Sequence, residues 1–344
     1  MKAFVLESPG KAALREVPSP KPGPGEVLVR VAACGICHTD LHYLDHGVST
    51  FKTPVVLGHE ISGTVAGCGA GVSQLREGER ILLPAVFSCG GCRNCRRGRE
   101  NICTQMRMLG NHLDGGFAEY VVAPAKDCFR VPSEIPLAEA CLIGDALSTP
   151  YHAVKHRARV SIGDVVAVFG CGGVGINAVQ FSALAGARVI AVDIDDRKLD
   201  LARQLGASDV LDPKSVERVD KELKKKTGGG VDIALEAIGK PETIRAAYES
   251  LRPGGRLCVI GYSAEAVTLP FSKLMFYELE VVGSLGCPAV DYPDLIELVR
   301  TNRVQLKALV TGRYALDDIE QGFNALREGK GLRGIVVPDQ AAIH

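Results

Sequence analysis

The sequence lacks an excess of charge of either sign, because its 344 residues contain 40 Lys and Arg and 40 Asp and Glu. It also has no basic tract long enough to cover one face of a domain. Proteins that bind nucleic acid or anionic membranes through charge carry such an excess, so neither is expected as the main partner. Internal repeats and low-complexity segments are absent as well.

The start of the chain also lacks the pattern of a signal peptide. Glu7 and Pro9 interrupt the first apolar segment before it reaches the length of a signal-peptide core. Residues 165–187 carry no charge and are long enough to cross a bilayer, but they contain a cluster of glycines and change period midway. That pattern favours a strand, a turn and a helix. We therefore expect a cytoplasmic protein without a transmembrane span.

The composition that remains is typical of a globular protein with two domains. Hydrophobic residues make up 46% of the chain and charged residues 23%, and the length exceeds what one core usually supports. Short strands between Pro- and Gly-rich turns fill the first part. From about Val160, strands at 165–169, 188–192 and 231–236 alternate with helices such as Pro241–Leu251, which predicts a parallel sheet in an α/β fold.

Twelve cysteines are many for a cytoplasmic chain, where disulfides are rare. Four of them crowd into one segment with the spacing C-x2-C-x2-C-x7-C, namely Cys89, Cys92, Cys95 and Cys103. Four thiolates complete the tetrahedral coordination of zinc and leave no position for a substrate, so we predict a structural zinc site. An iron–sulfur cluster is the alternative, although the spacing lacks the ferredoxin ending.

A second group of candidate metal ligands is incomplete. Cys37 is followed by His59 and Glu60 twenty-two residues later. A catalytic zinc takes three protein ligands and keeps a fourth position open for water or substrate, so an incomplete set indicates chemistry. The alternative is a buried structural cysteine next to an unrelated core histidine.

A glycine-rich segment follows the predicted strand at 165–169 and precedes a predicted helix. Its residues match G-x-G-x-x-G and are Gly170, Cys171, Gly172, Gly173, Val174 and Gly175. In this context the glycines allow a tight turn and a close approach to a pyrophosphate at the helix N-terminus. Asp193 ends the next strand, where a carboxylate binds ribose hydroxyls and repels a 2′-phosphate, so NAD is favoured over NADP. A flavin site or a purely structural turn is the alternative.

Together these patterns resemble the zinc-containing medium-chain dehydrogenase/reductase (alcohol dehydrogenase) family. The segment from Gly58 to Val72 resembles that family's zinc signature, and the cysteine cluster and glycine motif follow in the family's order. The resemblance implies a β-rich GroES-like catalytic zinc domain at 1–150 and 288–344. It also implies a Rossmann domain with a doubly wound parallel sheet at 151–287, which binds NAD.

The resemblance also implies roles for single residues near the catalytic zinc. Cys37 and His59 would be ligands, Glu60 an adjacent carboxylate or transient ligand, and Asp40 the carboxylate that orients His59. Asp145 stands where relatives often have cysteine, and some secondary-alcohol and polyol branches use a carboxylate there. We therefore predict Asp145 as the third ligand, with Cys141 as the rival.

The resemblance also implies residues that would transfer the proton and contact the cofactor. Thr39 and His42 resemble the family's proton relay. His38 and Arg333 resemble its pyrophosphate contacts, and Thr149 would lie beside the nicotinamide.

The predicted activity is a zinc- and NAD-dependent alcohol dehydrogenase that oxidises a primary, secondary or cyclic alcohol reversibly to an aldehyde or ketone. Each subunit would hold two zinc ions, one catalytic and one structural. The alternatives are a polyol or hydroxyacyl-thioester dehydrogenase, a zinc-free enoyl or quinone reductase, and a non-catalytic nucleotide-binding relative. By resemblance, subunits would form dimers or tetramers through the edge strand Glu280–Leu285.

Overall fold

The computed structural model describes residues 1–45 and 48–339. The chain divides into two compact units: Met1–Ser148 together with the residues from Gly286 onward, and Thr149–Leu285. Within the described residues, every helix is too short or too polar to cross a lipid bilayer.

The strands alternate between short pieces and a few long ones. In chain order they are Lys2–Ser8 (β1), Lys11–Glu16 (β2), Glu26–Gly35 (β3), Val55–Val56 (β4), Glu60–Cys68 (β5), Arg80–Leu83 (β6), Val86–Phe87 (β7), Arg107–Met108 (β8), Tyr120–Pro124 (β9), Phe129–Arg130 (β10), Val165–Phe169 (β11), Arg188–Val192 (β12), Asp209–Leu211 (β13), Val231–Glu236 (β14), Leu251–Val259 (β15), Glu280–Gly283 (β16), Val310–Ala315 (β17) and Arg333–Val337 (β18).

The helices are short and lie mostly in the second half of the chain. They are His38–Leu44 (α1), Ser148–His152 (α2), Gly175–Leu184 (α3), Asp196–Gln204 (α4), Val219–Thr227 (α5), Pro241–Glu249 (α6), Phe271–Phe276 (α7), Tyr292–Arg300 (α8) and Ile319–Arg327 (α9).

The first unit is built around β3, which pairs with β5, β9 and β18 in a sheet of seven strands. Val27, Val29 and Val31 alternate along β3 and are buried, as a strand with period two requires. The end of β3 faces the start of β5, with Gly35 opposite Glu60. This antiparallel pairing brings the segment after β3 next to the segment before β5.

The second unit contains a parallel sheet of six strands in the order β13-β12-β11-β14-β15-β16. The adjacent strands β11 and β12 are buried along nearly their whole length, as parallel strands covered on both faces are. The order reverses between β11 and β14, which is the switch point of a doubly wound fold. The predicted Rossmann architecture is therefore confirmed.

The predicted strands at 165–169, 188–192 and 231–236 have the predicted bounds. The helix predicted over Pro241–Leu251 was wrong at its end, because it stops at Glu249. Leu251 instead begins β15 and pairs with Val231 in the parallel sheet. A buried leucine satisfies the apolar pattern of either element, so periodicity did not separate them.

Candidate metal and cofactor sites

Four metal-binding side chains converge in the first unit. Cys37 follows β3 and directly precedes α1, while His59 directly precedes β5 and Glu60 begins it. Asp145 follows a short 3-10 turn, Glu139–Gly144. The donor atoms of Cys37, His59, Glu60 and Asp145 all lie within 4.8 Å of one another. The strand pairing of β3 with β5 explains why the first three ligand candidates meet.

The distances between donor atoms suit zinc. Asp145 Oδ2 lies 3.9 Å from Cys37 Sγ and 3.7 Å from His59 Nε2. In a tetrahedral site with zinc bonds of 2.0–2.3 Å, donor atoms are roughly 3.3–3.8 Å apart. The set combines a thiolate, an imidazole and a carboxylate, all of which are zinc ligands.

The ring nitrogen Nε2 of His59 is buried without a hydrogen bond in the described part of the chain. The residue is 1% exposed, and Nε2 has no hydrogen-bond partner among the described residues. Buried polar atoms of proteins almost always have a partner. A metal ion bound to Nε2 would satisfy this atom, so the residues present fit zinc.

The buried carboxylate of Asp40 contacts two ligand candidates. Oδ2 accepts a hydrogen bond from the backbone N–H of Cys37 at 3.0 Å. Oδ1 lies 3.3 Å from Nδ1 of His59 on the side of the ring away from Asp145. A carboxylate in this position fixes the ring orientation and increases the basicity of the other nitrogen.

The charges around the site set its protonation. Burial opposes the His59 cation, but the charge of Asp40 and the nearby Asp145 carboxylate raise the pKa of His59 well above its usual value. Burial also opposes the Cys37 thiolate, yet the charge of Arg333 and the contact with His59 lower the pKa of Cys37. The surroundings thus favour the thiolate that a metal needs.

The four-cysteine segment folds around one point. Cys92 Sγ is 3.5 Å from Cys95 Sγ, and Cys103 Sγ is 3.5 Å from Cys89 Sγ. Backbone N–H groups point at the sulfurs. For example, the backbone nitrogen of Cys92 lies 3.3 Å from Cys89 Sγ. Hydrogen bonds from the backbone of Cys95 and Thr104 lower the pKa of Cys92 to about 5. Four sulfurs at this spacing fit a closed tetrahedral zinc site.

The glycine motif occupies the turn between β11 and α3. Gly170 has φ +87°, which a residue with a side chain rarely adopts. A Cβ on Gly175 would lie 1.7 Å from Gly170 O, whereas a Cβ on Gly172 would meet nothing within 4 Å. Gly175 is therefore needed for packing, and Gly172 leaves open space at the N-terminus of α3, where a pyrophosphate fits.

Asp193 is held at the end of β12 by the glycine turn. Its Oδ2 accepts from the N–H of Cys171 at 2.6 Å, and its Oδ1 accepts from the N–H of Asp195 at 3.0 Å. These contacts keep a carboxylate beside the turn, as binding of ribose hydroxyls requires.

Two family models match the chain over both units. The alcohol dehydrogenase GroES-like domain matches residues 23–133, and the zinc-binding dehydrogenase domain matches residues 173–301. The chain belongs to the zinc-containing medium-chain dehydrogenase family. The predicted zinc and NAD cofactors agree with this membership and with the two donor groups.

Individual members of the family are similar over nearly the full chain. An alcohol dehydrogenase from Geobacillus stearothermophilus is 36% identical, covering 98% of this chain and 99% of its own. D-xylulose reductase A from Aspergillus oryzae is 34% identical, covering 97% and 96%. The structure of 2R,3R-butanediol dehydrogenase from Bacillus subtilis has a TM-score of 0.89 and 30% identity, covering 98% and 99%. Other similar structures hold NADP, from Sinorhizobium meliloti 1021, or NADH, from E. coli CFT073.

Arg333 lies beside the candidate zinc site and is 4% exposed. Its Nη1 donates to Ile36 O at 3.0 Å and lies 3.4 Å from Glu60 Oε1. The ion pair of Arg333 with Glu60 was missed from the sequence. The predicted contact of Arg333 with the pyrophosphate stays a prediction.

The predicted relay residues share α1 with the ligand segment. Thr39 Oγ1 lies 3.7 Å from Cys37 Sγ, so its hydroxyl is beside the zinc donors. His42 is three residues further along the same helix, and residues at this spacing lie on the same face. His38 is exposed at the start of α1, and Thr149 begins the second unit. The roles of these four residues stay predictions.

Cys141, the rival third ligand, is fully buried in the 3-10 turn that precedes Asp145. Burial raises the pKa of its thiol well above the usual value, which disfavours the thiolate. The group of converging donor atoms contains Asp145 and not Cys141.

Proposed function

We propose that this oxidoreductase is an NAD-dependent zinc alcohol dehydrogenase. It would oxidise a primary, secondary or cyclic alcohol reversibly to an aldehyde or ketone. The observation that carries this proposal is the convergence of the donor atoms of Cys37, His59, Glu60 and Asp145. With Glu60 held in its ion pair with Arg333, the other three would bind zinc and leave a fourth position for a substrate oxygen. Such an open zinc supplies Lewis acidity that lowers the pKa of an alcohol.

Residues of the chain would move the proton, orient a zinc ligand and bind the cofactor. The hydroxyl of Thr39, beside Cys37 Sγ, would accept the alcohol proton and pass it on, and His42 would release it to solvent. Asp40 would hold the ring of His59 in its metal-binding orientation. Asp193 would bind the ribose hydroxyls, and the turn from Gly170 to Gly175 would hold the pyrophosphate.

Metal removal tests this proposal. We expect a chelator that takes the catalytic zinc to abolish turnover while NADH binding, followed by fluorescence, persists. Readdition of zinc should restore turnover. Full activity in protein shown to hold no catalytic zinc would contradict the proposal.

A polyol dehydrogenase is the second candidate, and the relatives favour it. D-xylulose reductase A and 2R,3R-butanediol dehydrogenase are both named for polyol or diol chemistry, and a carboxylate as third ligand leans toward secondary alcohols. Initial rates of NAD reduction with primary, cyclic and polyhydroxy alcohols would separate the candidates. A hydroxyacyl thioester in the same panel tests the remaining family alternative.

We further propose a homodimer or homotetramer formed through β16. This strand lies at one end of the parallel sheet, and its residue Val281 and the following Leu285 are 40% and 51% exposed. An exposed apolar edge strand is a natural pairing surface for a second copy. Sedimentation of the wild type and of Val281→Lys tests this, because a lysine on the edge should favour the monomer.

A cytoplasmic location is also proposed. None of the twelve cysteines, all of which lie in the described residues, forms a disulfide, which suits a reducing compartment. Fractionation of cells that produce the protein tests this location.

A further inference from the structure

The peptide bond that leads into Asp145 is held by two side chains and one backbone N–H from different parts of the first unit. Gly144 O accepts hydrogen bonds from the hydroxyl of Tyr292 at 2.9 Å, from the hydroxyl of Ser148 at 3.1 Å and, more weakly, from the N–H of Ala85 at 3.4 Å. This carbonyl lies in the same rigid plane as the backbone nitrogen of Asp145. Donors that orient the carbonyl of Gly144 therefore orient the backbone from which the Asp145 side chain extends.

The local backbone conformation does not by itself set the direction in which the Asp145 side chain extends. The 3-10 turn ends at Gly144, and Asp145 has φ −146° and ψ −54°, outside helical geometry. Gly144 also packs tightly, because a Cβ at this position would lie 2.6 Å from Leu83 O. Since the turn does not continue through Asp145, the hydrogen bonds at Gly144 O hold the backbone from which the carboxylate extends.

Tyr292 is well suited to hold that carbonyl. It begins α8, is 2% exposed, and its ring stacks on Phe129 with ring centres 4.7 Å apart and planes 13° apart. Burial raises the pKa of Tyr292 well above its usual value, so the hydroxyl stays a neutral donor. Its ring cannot rotate away without losing the stack on Phe129.

We propose that Tyr292 is a positioning residue that sets the geometry of Asp145 as the third zinc ligand. This inference rests on the proposed function, in which Asp145 binds the catalytic zinc. Tyr292 would influence Asp145 indirectly. It acts through the Gly144 carbonyl, whose distance from the tyrosine hydroxyl is that of a good hydrogen bond.

Tyr292→Phe tests this role, since it keeps the ring and removes only the hydroxyl. The matched control is Tyr248→Phe, because Tyr248 is equally buried and its hydroxyl donates to Pro270 O at 3.2 Å in the second unit. We expect Tyr292→Phe to release the catalytic zinc to a chromophoric chelator about 10-fold faster than wild type. The zinc of the four-cysteine site should be released at the wild-type rate in both variants.

A spectroscopic readout separates positioning from general stability. With cobalt in the catalytic site and zinc in the four-cysteine site, Tyr292→Phe should shift the visible absorption bands of cobalt, and Tyr248→Phe should not. An unshifted spectrum together with a wild-type release rate would overturn the inference, even if the melting temperature falls.

Two further variants keep the test decisive. Ser148→Ala removes the second donor to Gly144 O, and it should also accelerate release. If Tyr292→Phe does not fold, an unchanged rate of zinc release in Ser148→Ala overturns the inference.

Asp145→Ala should lose one zinc. If it keeps both, the proposed ligand set fails; if it loses one while Tyr292→Phe behaves as wild type, only the positioning role fails.

Discussion

Oδ1 of Asp40 lies 3.3 Å from Nδ1 of His59, and both side chains are buried. The other carboxylate oxygen of Asp40 accepts from the N–H of Cys37, so one side chain orients two ligand candidates. Because Asp40 sits in the first turn of α1, the helix that positions Cys37 also positions the partner of His59.

Asp40→Asn should therefore weaken the catalytic zinc site. An amide carries no charge to increase the basicity of His59, and its NH₂ group cannot accept from Cys37 N–H while its oxygen faces the ring. We expect zinc affinity at this site to fall about 10- to 100-fold. Competition with a chelator of known affinity measures it. Asp127→Asn, at a buried carboxylate that pairs with Lys126, is the control, and equal losses in both variants would contradict the assignment.

Two glycines of the nucleotide turn should respond differently to alanine. Gly172→Ala places its methyl group in open space, so we expect an unchanged melting temperature but weaker NADH binding, since the methyl occupies room for the pyrophosphate. Gly175→Ala drives a methyl group into Gly170 O and should lower the melting temperature. Thermal unfolding and NADH titration measure both effects. Normal NADH affinity in Gly172→Ala would contradict this placement of the pyrophosphate.

Asp193→Ser should relax the choice between NAD and NADP. The carboxylate at the end of β12 repels a 2′-phosphate, and its removal eliminates that repulsion. We expect the ratio of kcat/KM for NADP to that for NAD to rise about tenfold or more. Asp196→Ser, at an exposed neighbouring carboxylate, should leave the ratio near the wild-type value.

Cys103→Ser should remove the zinc of the four-cysteine site. Three thiolates and a hydroxyl hold zinc less tightly, and loss of a structural zinc removes folding free energy. We expect one zinc fewer per chain and a melting temperature lower by about 5 °C or more. Cys68→Ser, at an exposed thiol, is the control. Retention of both zinc ions would show that the four sulfurs do not act as one site.

The sequence was most informative where a local pattern decides the structure. The strand before Gly170 and the cysteine cluster at 89–103 depend on neighbouring residues, and both were predicted with correct positions. The hydrogen bond from Tyr292 to Gly144 joins residues 148 positions apart, and the hydrogen bond from Arg333 to Ile36 joins residues 297 positions apart. Such contacts follow from sheet order and helix packing, which periodicity does not reveal.

The strand β17 was also missed. Its residues alternate between exposed and half-buried positions, so Val310–Ala315 has a weak apolar pattern. The strand is stabilised by parallel pairing with β18, a partner that only the three-dimensional arrangement supplies.

The place of β18 in the sheet has a consequence for biosynthesis. Arg333, which faces Glu60 in the zinc site, begins β18, and this strand pairs with β3 near Cys34. A ribosome makes β18 long after the segment that contains Cys37, so a nascent chain cannot complete the surroundings of this ligand candidate until residues 333–337 have emerged. The four-cysteine segment emerges whole much earlier. The two candidate metal sites would thus be completed at different times, the four-cysteine site first and the site beside Arg333 later.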